Sequence, residues 1–112
     1  LLRVFEWMGK RKTIIFGRGK FGVFLHIQML CRGLDNVVAY CDNDIEEQEV
    51  TLYGVPVIAP QKAVKMYKEA VFIIASKYHS EEMKKQLVFL GVNENSIISY
   101  TAGADMRLLG SK

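Results

Sequence analysis

The chain has 112 residues, of which 50% are hydrophobic and 24% are charged, and its formal net charge is +3. This balance predicts one ordinary globular domain and excludes a low-complexity or fibrous protein. The charge excess is mild, so the basic cluster Lys10 to Lys12 gives no reason to expect a nucleic-acid partner. No apolar run approaches the roughly 18 residues that cross a bilayer. We therefore expect no membrane span, and reading both cysteines as reduced thiols favours a cytoplasmic location.

Strand-like and helix-like patterns alternate along the chain. Short apolar runs bounded by turn residues predict strands, whereas apolar residues spaced three and four apart predict helices. The predicted strands are 13–16, 36–41, 71–75 and 96–100, with two brief strand-like pieces around Tyr53-Gly54 that form either a small hairpin or a strand after a turn. The predicted helices are 20–32, 60–69 and one that Ser80 caps and Gly91 ends. This succession predicts an α/β fold with an open, parallel, five-stranded Rossmann-like sheet of order 3-2-1-4-5 and helices on both faces.

We expect three parts in the chain. Residues 1–11 are predicted to be a leading segment from a longer protein, residues 12–101 the Rossmann-like domain, and residues 102–112 a C-terminal tail. Cys31 and Cys41 have no metal-ligand spacing and are expected to be buried, reduced thiols.

The most informative stretch is "GRGKFG", Gly17 to Gly22, which follows the first strand directly and opens the first helix. In that context Gly17 permits a tight turn, Gly19 lets the backbone approach a phosphate, and Gly22 lets helix and strand pack closely. The helix N-terminus then offers N–H groups and partial positive charge to an anion. The alternative is that the glycines only shape the turn. Arg18 stands where a small residue is usual, and it either clasps a pyrophosphate or projects into solvent.

The second strand ends at Asp42, about twenty residues after the glycines, where a carboxylate can accept hydrogen bonds from ribose hydroxyls and disfavour a 2′-phosphate. The fourth strand is expected to deliver its last residues to the same crevice. The predicted nucleotide contacts are Gly17, Arg18, Gly19, Lys20, Phe21, Gly22, Asp42, Asn43, Ala75, Ser76 and Lys77.

Several kinds of chemistry have no motif in this sequence. There is no G-x-S-x-G, no G-K-[ST] phosphate loop and no Tyr-x-x-x-Lys pair. Asp42 to Asp44 lacks the glycine and the distal glutamate of a calcium loop, so no metal site is expected. We predict no catalytic residues and leave open whether the parent protein is an enzyme.

The succession "IIFGRGKFG", "VVAYCDND", "YGVPVIAP", "FIIAS" and "QLVFLGVNENSI" resembles a family of bacterial Rossmann-like domains over residues 12–100. Such domains precede the catalytic part of nucleoside-diphosphate-sugar epimerases and dehydratases, and begin sugar-nucleotide acetyltransferases of surface-polysaccharide biosynthesis. The resemblance implies that Gly17, Gly19, Gly22 and Asp42 face a nucleotide, either NAD or a UDP-sugar. It also implies a catalytic domain elsewhere in the parent chain.

Three functions remain open on these grounds. The first is a nucleotide-binding module of a sugar-nucleotide enzyme, not catalytic alone. The second is a regulatory ligand-sensing domain, and the third is a scaffold domain that has lost its ligand. Pairing of the domain with itself is possible in each case.

Overall fold

The computed structural model describes residues 11–17, 19–44, 50–76, 78–100 and 107–108, the last pair as backbone only. In chain order the elements are β1 (Thr13–Phe16), α1 (Lys20–Cys31), β2 (Val37–Cys41), β3 (Thr51–Leu52), β4 (Val55–Ile58), α2 (Pro60–Met66), β5 (Val71–Ala75), α3 (Ser80–Phe89), a 3-10 turn (Glu94–Ser96), β6 (Ile97–Tyr100) and β7 (Arg107–Leu108).

The sheet runs β3-β4-β2-β1-β5-β6-β7. The five inner strands β4, β2, β1, β5 and β6 are parallel neighbours, and β3 and β7 add antiparallel edges. The α/β class and the parallel centre are confirmed, and the inner strands follow the predicted succession. The predicted count of five was wrong, because two-residue edge strands are too short to show an alternating pattern.

Of the two arrangements expected around Tyr53-Gly54, the structure shows the hairpin, formed by β3 and β4. Tyr53 and Gly54 make its turn with φ angles of 51° and 84°, which leads β3 directly back into β4. A tyrosine at positive φ is uncommon. The second residue of the turn also has a positive φ, and glycine adopts that conformation without steric strain. At the other edge, β7 lies within the predicted tail, where Arg107 pairs with Ser99.

Helices cover both faces of the sheet, as predicted. On one face, α1 packs Leu25 and Met29 against strand residues such as Ile15. On the other, α2 and α3 contribute Ala63 and Leu87 to a second apolar cluster. Because both faces are covered, β1 and β5 are buried along their whole length. Each fully buried leucine or isoleucine contributes about 1.5–3 kcal/mol of hydrophobic stabilisation.

Three local expectations were wrong. The second helix ends at Met66, before the predicted 69. Ser80 is the first residue of α3 rather than its cap, which is His79. Cys31 is exposed because it lies on the outer side of α1, whereas Cys41 is buried as expected. Within the described ranges, no helix is both long and apolar enough to span a membrane.

Candidate functional site

The glycine loop lies at the carboxyl edge of the parallel sheet, between the end of β1 and the start of α1. Gly17 has a φ of +108°, a left-handed conformation that side chains rarely adopt. A β-carbon there would lie 2.8 Å from the carbonyl oxygen of Ala75. At the other end of the loop, a β-carbon on Gly22 would overlap the carbonyl oxygen of Gly17 and press on Ile15. Contacts within the protein therefore require both outer glycines.

Gly19 differs from the other two loop glycines. Its φ is −75°, which any residue can adopt, and apart from its chain neighbours a β-carbon built on it meets no atom of the described residues within 4 Å. The space beside its α-carbon is open. Among the three loop glycines, the described contacts thus require Gly17 and Gly22 but not Gly19.

The side chains in the first turn of α1 do not neutralise the partial positive charge at the N-terminus of the helix. Among the described residues, no side chain caps the helix at Gly19, and its first turn carries no acid. The start of α3 is different, since Glu81 and Glu82 lie in its first turn. The N-terminus of α1 can therefore interact favourably with an anion from outside the chain.

The end of β2 is joined to this loop by a backbone hydrogen bond. The N–H of Gly17 donates to the carbonyl oxygen of Cys41 at 2.8 Å, which places Asp42 directly beside the loop. Asp42 is half-buried, and its Oδ1 accepts a hydrogen bond from the N–H of Asp44 at 2.8 Å. This turn holds the carboxylate at the strand end. Burial, and secondarily the charge of Asp42, raise the pKa of the Cys41 thiol, so this cysteine packs as a neutral side chain.

The end of β5 reaches the same edge. Ala75 is in close backbone contact with Gly17, as the position of its carbonyl oxygen shows. Ser76 follows, and its Oγ accepts a hydrogen bond from the N–H of His79 at 3.1 Å. The structure therefore brings the glycine loop, Asp42 and the Ala75–Ser76 strand end together, where the strand order reverses between β1 and β5.

The remaining predicted contacts have different environments. Lys20 is exposed, and Phe21 packs partly against the apolar cluster beneath α1. The side-chain amide of Asn43 pairs reciprocally with that of Gln86 on α3, at 2.9 and 2.8 Å. Sequence patterns gave no sign of this pair, since its two residues lie 43 positions apart. Arg18 and Lys77 lie outside the described residues.

A cavity of about 610 Å³ opens at the opposite, amino edge of the sheet. Arg11, Lys12, Lys65, Lys68 and Glu69 line it, together with Met66, Tyr67 and Ala70. Its lysines are exposed to solvent, and the guanidinium of Arg11 already donates to the Glu69 carbonyl and to the Ser96 hydroxyl. Because it lies across the sheet from the glycine loop, we assign the nucleotide crevice by strand geometry and not by cavity size. No group of three metal-ligating side chains occurs in the described part of the chain.

The parallel sheet, the glycine turn and the acid after β2 define the class of protein, which is a Rossmann-like α/β domain. A family model described as C2185-like, N-terminal, matches residues 9–98. The chain belongs to this family. A search among curated proteins found no significant match.

Solved structures share the fold at low sequence identity. UDP-D-quinovosamine 4-dehydrogenase from Vibrio fischeri is 22% identical with a TM-score of 0.63, and the match covers 81% of this chain and 78% of that one. RSP, a Rex-family repressor, is 17% identical with a TM-score of 0.66, covering 95% of this chain and 53% of that one. RSP in complex with beta-NADH is 16% identical with a TM-score of 0.60, covering 87% and 48%. This chain spans about half the length of the repressor.

A further repressor structure contains beta-NAD+ and operator DNA, and its match has 14% identity, a TM-score of 0.60 and coverage of 91% and 56%. The operator DNA is a ligand of that repressor, and at 14% identity the likeness shows the shared fold. The match leaves nearly half of the repressor chain unaligned, so it does not say which part of the repressor contacts DNA.

Proposed function

We propose that this domain binds NAD(H) at the carboxyl edge of its sheet, with Gly17, Gly19, Gly22 and Asp42 as the principal contacts. The observation that carries the proposal is the difference between the three glycines. Protein contacts account for Gly17 and Gly22, whereas the described residues leave the space beside Gly19 open. A pyrophosphate lying there would face the uncapped N-terminus of α1.

The residues around the loop also fit the parts of a dinucleotide other than its pyrophosphate. The carboxylate of Asp42 lies one residue beyond the backbone bond that joins β2 to the loop, where it can accept hydrogen bonds from ribose hydroxyls. Its negative charge would repel a 2′-phosphate, which favours NAD over NADP. Ala75 and Ser76 border the crevice on the β5 side, and Lys20 and Phe21 lie in the first turn of α1. Arg18 and Lys77, outside the described residues, stay predicted contacts. Asn43 hydrogen-bonds Gln86 on α3, so we assign it a role in holding the loop after β2 and not a contact with the nucleotide.

We further propose that the domain serves a sugar-nucleotide-modifying enzyme of polysaccharide biosynthesis, with its catalytic part elsewhere in the parent chain. The resemblance of residues 12–100 to sugar-nucleotide enzymes supports this, as does the likeness to a UDP-sugar dehydrogenase. A UDP-sugar is then the alternative ligand of the same crevice.

A regulatory NAD(H) sensor is the second candidate function. The likeness to a Rex-family repressor that has been solved with beta-NADH favours it. Both functions use the same cofactor site, so they differ in what the bound nucleotide controls and not in how it is held.

A thermal-shift screen of the purified chain against NAD, NADP, UDP-sugars, coenzyme A and ATP tests the proposal. A ligand that binds only the folded state raises the melting temperature. We expect a rise with NAD and a smaller one, or none, with NADP. A rise with UDP-sugars alone would replace NAD by a nucleotide sugar. No rise with any ligand at millimolar concentration would support the scaffold alternative.

A further inference from the structure

The outer face of α1 is apolar and uncharged. Phe24, Ile27 and Leu30 remain 47%, 38% and 44% exposed. From residue 21 to residue 31 the helix carries no Asp, Glu, Lys or Arg, whereas the outer sides of α2 and α3 both carry charged residues. A helix that is apolar all round is normally covered on both sides.

The hairpin of β3 and β4 extends this surface. The ring of Tyr53 lies edge-on to that of His26, with 6.2 Å between the ring centroids, and Tyr53 stays 54% exposed. His26 and Leu30 are one helical turn apart and therefore neighbours on α1. Tyr53 thus continues the exposed row formed by Phe24, Ile27 and Leu30, and we call these four residues the α1 patch.

The apolar area of the α1 patch is close to what a dimer of this chain needs. Its four side chains expose on the order of 400 Å² together. A standard protein–protein interface takes about 800 Å² from each partner, and roughly 56–65% of that area is apolar. The patch therefore supplies most of the apolar surface of one such interface, and polar residues around it can supply the rim.

The residues of α1 are spaced so that the helix can pair with a copy of itself that runs in the opposite direction. A two-fold axis at Ile27 places residues that are equally far from Ile27 on its two sides opposite each other. Phe24 of one copy then faces Leu30 of the second copy, and the reverse. Apolar side chains meet apolar side chains along the whole uncharged stretch, and the dipoles of the two helices run in opposite directions.

The charged residues at the two ends of α1 are complementary in the same arrangement. Lys20 lies on the same side of the helix as Phe24 and Ile27, and it is exposed. Asp35 lies just beyond the other end of α1 and is also exposed. Within the part of the chain that the structure describes, neither Lys20 nor Asp35 takes part in an ion pair.

The distances of these two residues from the two-fold axis are similar, since Lys20 is seven residues before Ile27 and Asp35 is eight residues after it. An antiparallel copy therefore brings each Lys20 near the Asp35 of the other copy. A parallel copy would instead place Lys20 beside Lys20 and Asp35 beside Asp35. Charge complementarity thus favours the antiparallel pairing.

We propose that two copies of this chain associate through the α1 patch, with their α1 helices antiparallel about Ile27. The occupant of the patch is thus a second copy, and each copy covers the exposed side of the helix that presents the glycine loop of the other. The proposal does not depend on which ligand the loop binds.

Sedimentation equilibrium of the full-length chain, at concentrations up to the millimolar range, tests the proposal. We expect the wild-type mass to rise with concentration toward twice the mass of one chain. Ile27→Asp should weaken this association by roughly a hundredfold, because two carboxylates would face each other at the two-fold axis. Phe89→Asp is the matched control, since Phe89 is 89% exposed on α3 across the sheet and its substitution should leave the association unchanged.

An exchange of charges tests the antiparallel arrangement. Lys20→Glu and Asp35→Lys, made singly, each bring like charges together at both ends of the interface and should weaken association by about threefold or more. The double variant restores opposite charges and should recover most of the wild-type affinity. Both positions are exposed, so these variants should fold, and circular dichroism checks each one.

A wild-type chain that keeps the mass of one copy at every concentration would overturn the proposal. So would an association that folded Ile27→Asp leaves unchanged, because the dimer would then use another surface. If the single charge variants weaken association and the double variant does not recover it, the antiparallel arrangement is wrong.

Discussion

The carbonyl oxygen of Gly17 occupies the place that a β-carbon on Gly22 would need, so the two ends of the glycine loop are in direct contact. The loop thus closes on itself, with Ala75 packed against its first residue. Gly19 lies between them, and beyond its chain neighbours a β-carbon added there would meet none of the described residues within 4 Å. Stability and ligand binding should therefore depend on different glycines.

Gly22→Ala is expected to destabilise the domain, because the added methyl group must displace the Gly17 backbone or the start of α1. Overpacking of this kind costs about 1–3 kcal/mol of the free energy of unfolding. Gly19→Ala is the matched control, and it should cost less than about 1 kcal/mol, since only a cap preference changes. Urea denaturation of the two variants measures the difference. Equal losses would show that the loop is not closed in the way described.

The substitution Asp42→Asn distinguishes two roles of Asp42, which are accepting the hydrogen bond of the turn and binding the ribose. Asparagine retains an Oδ1 that can accept the hydrogen bond from the Asp44 N–H, but it loses the charge and one acceptor oxygen. We expect the affinity for NAD to fall by about 1–3 kcal/mol, as for a lost charged hydrogen bond, and the preference over NADP to shrink. Asp44→Asn removes a nearby charge and serves as the control in calorimetric titrations. Unchanged affinity in Asp42→Asn would exclude Asp42 as the ribose partner.

Asn43→Ala should affect stability and not binding. Its amide is engaged by Gln86, so the substitution removes a pair of exposed hydrogen bonds worth about 1 kcal/mol. Gln86→Ala should have the same effect on the free energy of unfolding, and neither should change the dissociation constant for NAD. A loss of affinity in Asn43→Ala that Gln86→Ala does not share would place Asn43 on the ligand.

The pair His26–Tyr40 predicts that acid destabilises the domain. His26 Nδ1 lies 2.7 Å from the Tyr40 hydroxyl, and both residues are buried. Burial lowers the pKa of His26 in the folded state below its ordinary 6.5. The unfolded chain therefore binds more protons just below pH 6.5, and the free energy of unfolding falls as the pH drops through that value.

Denaturation at pH 7.5 and 5.5 measures this dependence, and His26→Asn is the comparison because it cannot titrate. We expect a smaller loss of stability between the two pH values in His26→Asn than in the wild type. The same loss in both proteins would assign the acid sensitivity to other groups.

Much of this architecture follows from local patterns. The runs Thr13–Phe16 and Val71–Ala75 are continuous apolar strands with the bounds that the sequence predicts. The glycine turn and Asp42 were found because their spacing has a mechanical reason. The edge strand Arg107–Leu108, the pairing of Asn43 with Gln86 and the outward position of Cys31 depend on contacts between distant residues. No single-sequence periodicity carries that information.

We expect the open space at Gly19 to receive the phosphates of NAD(H). Calorimetric titration of NADH into wild type and Gly19→Val, side by side, tests it most directly. We expect binding to the wild type and none to the variant. The circular dichroism spectra should match, because a β-carbon at position 19 has open space among the residues that the structure describes. Undiminished binding by Gly19→Val, or no binding by the wild type at millimolar NADH, would contradict the claim.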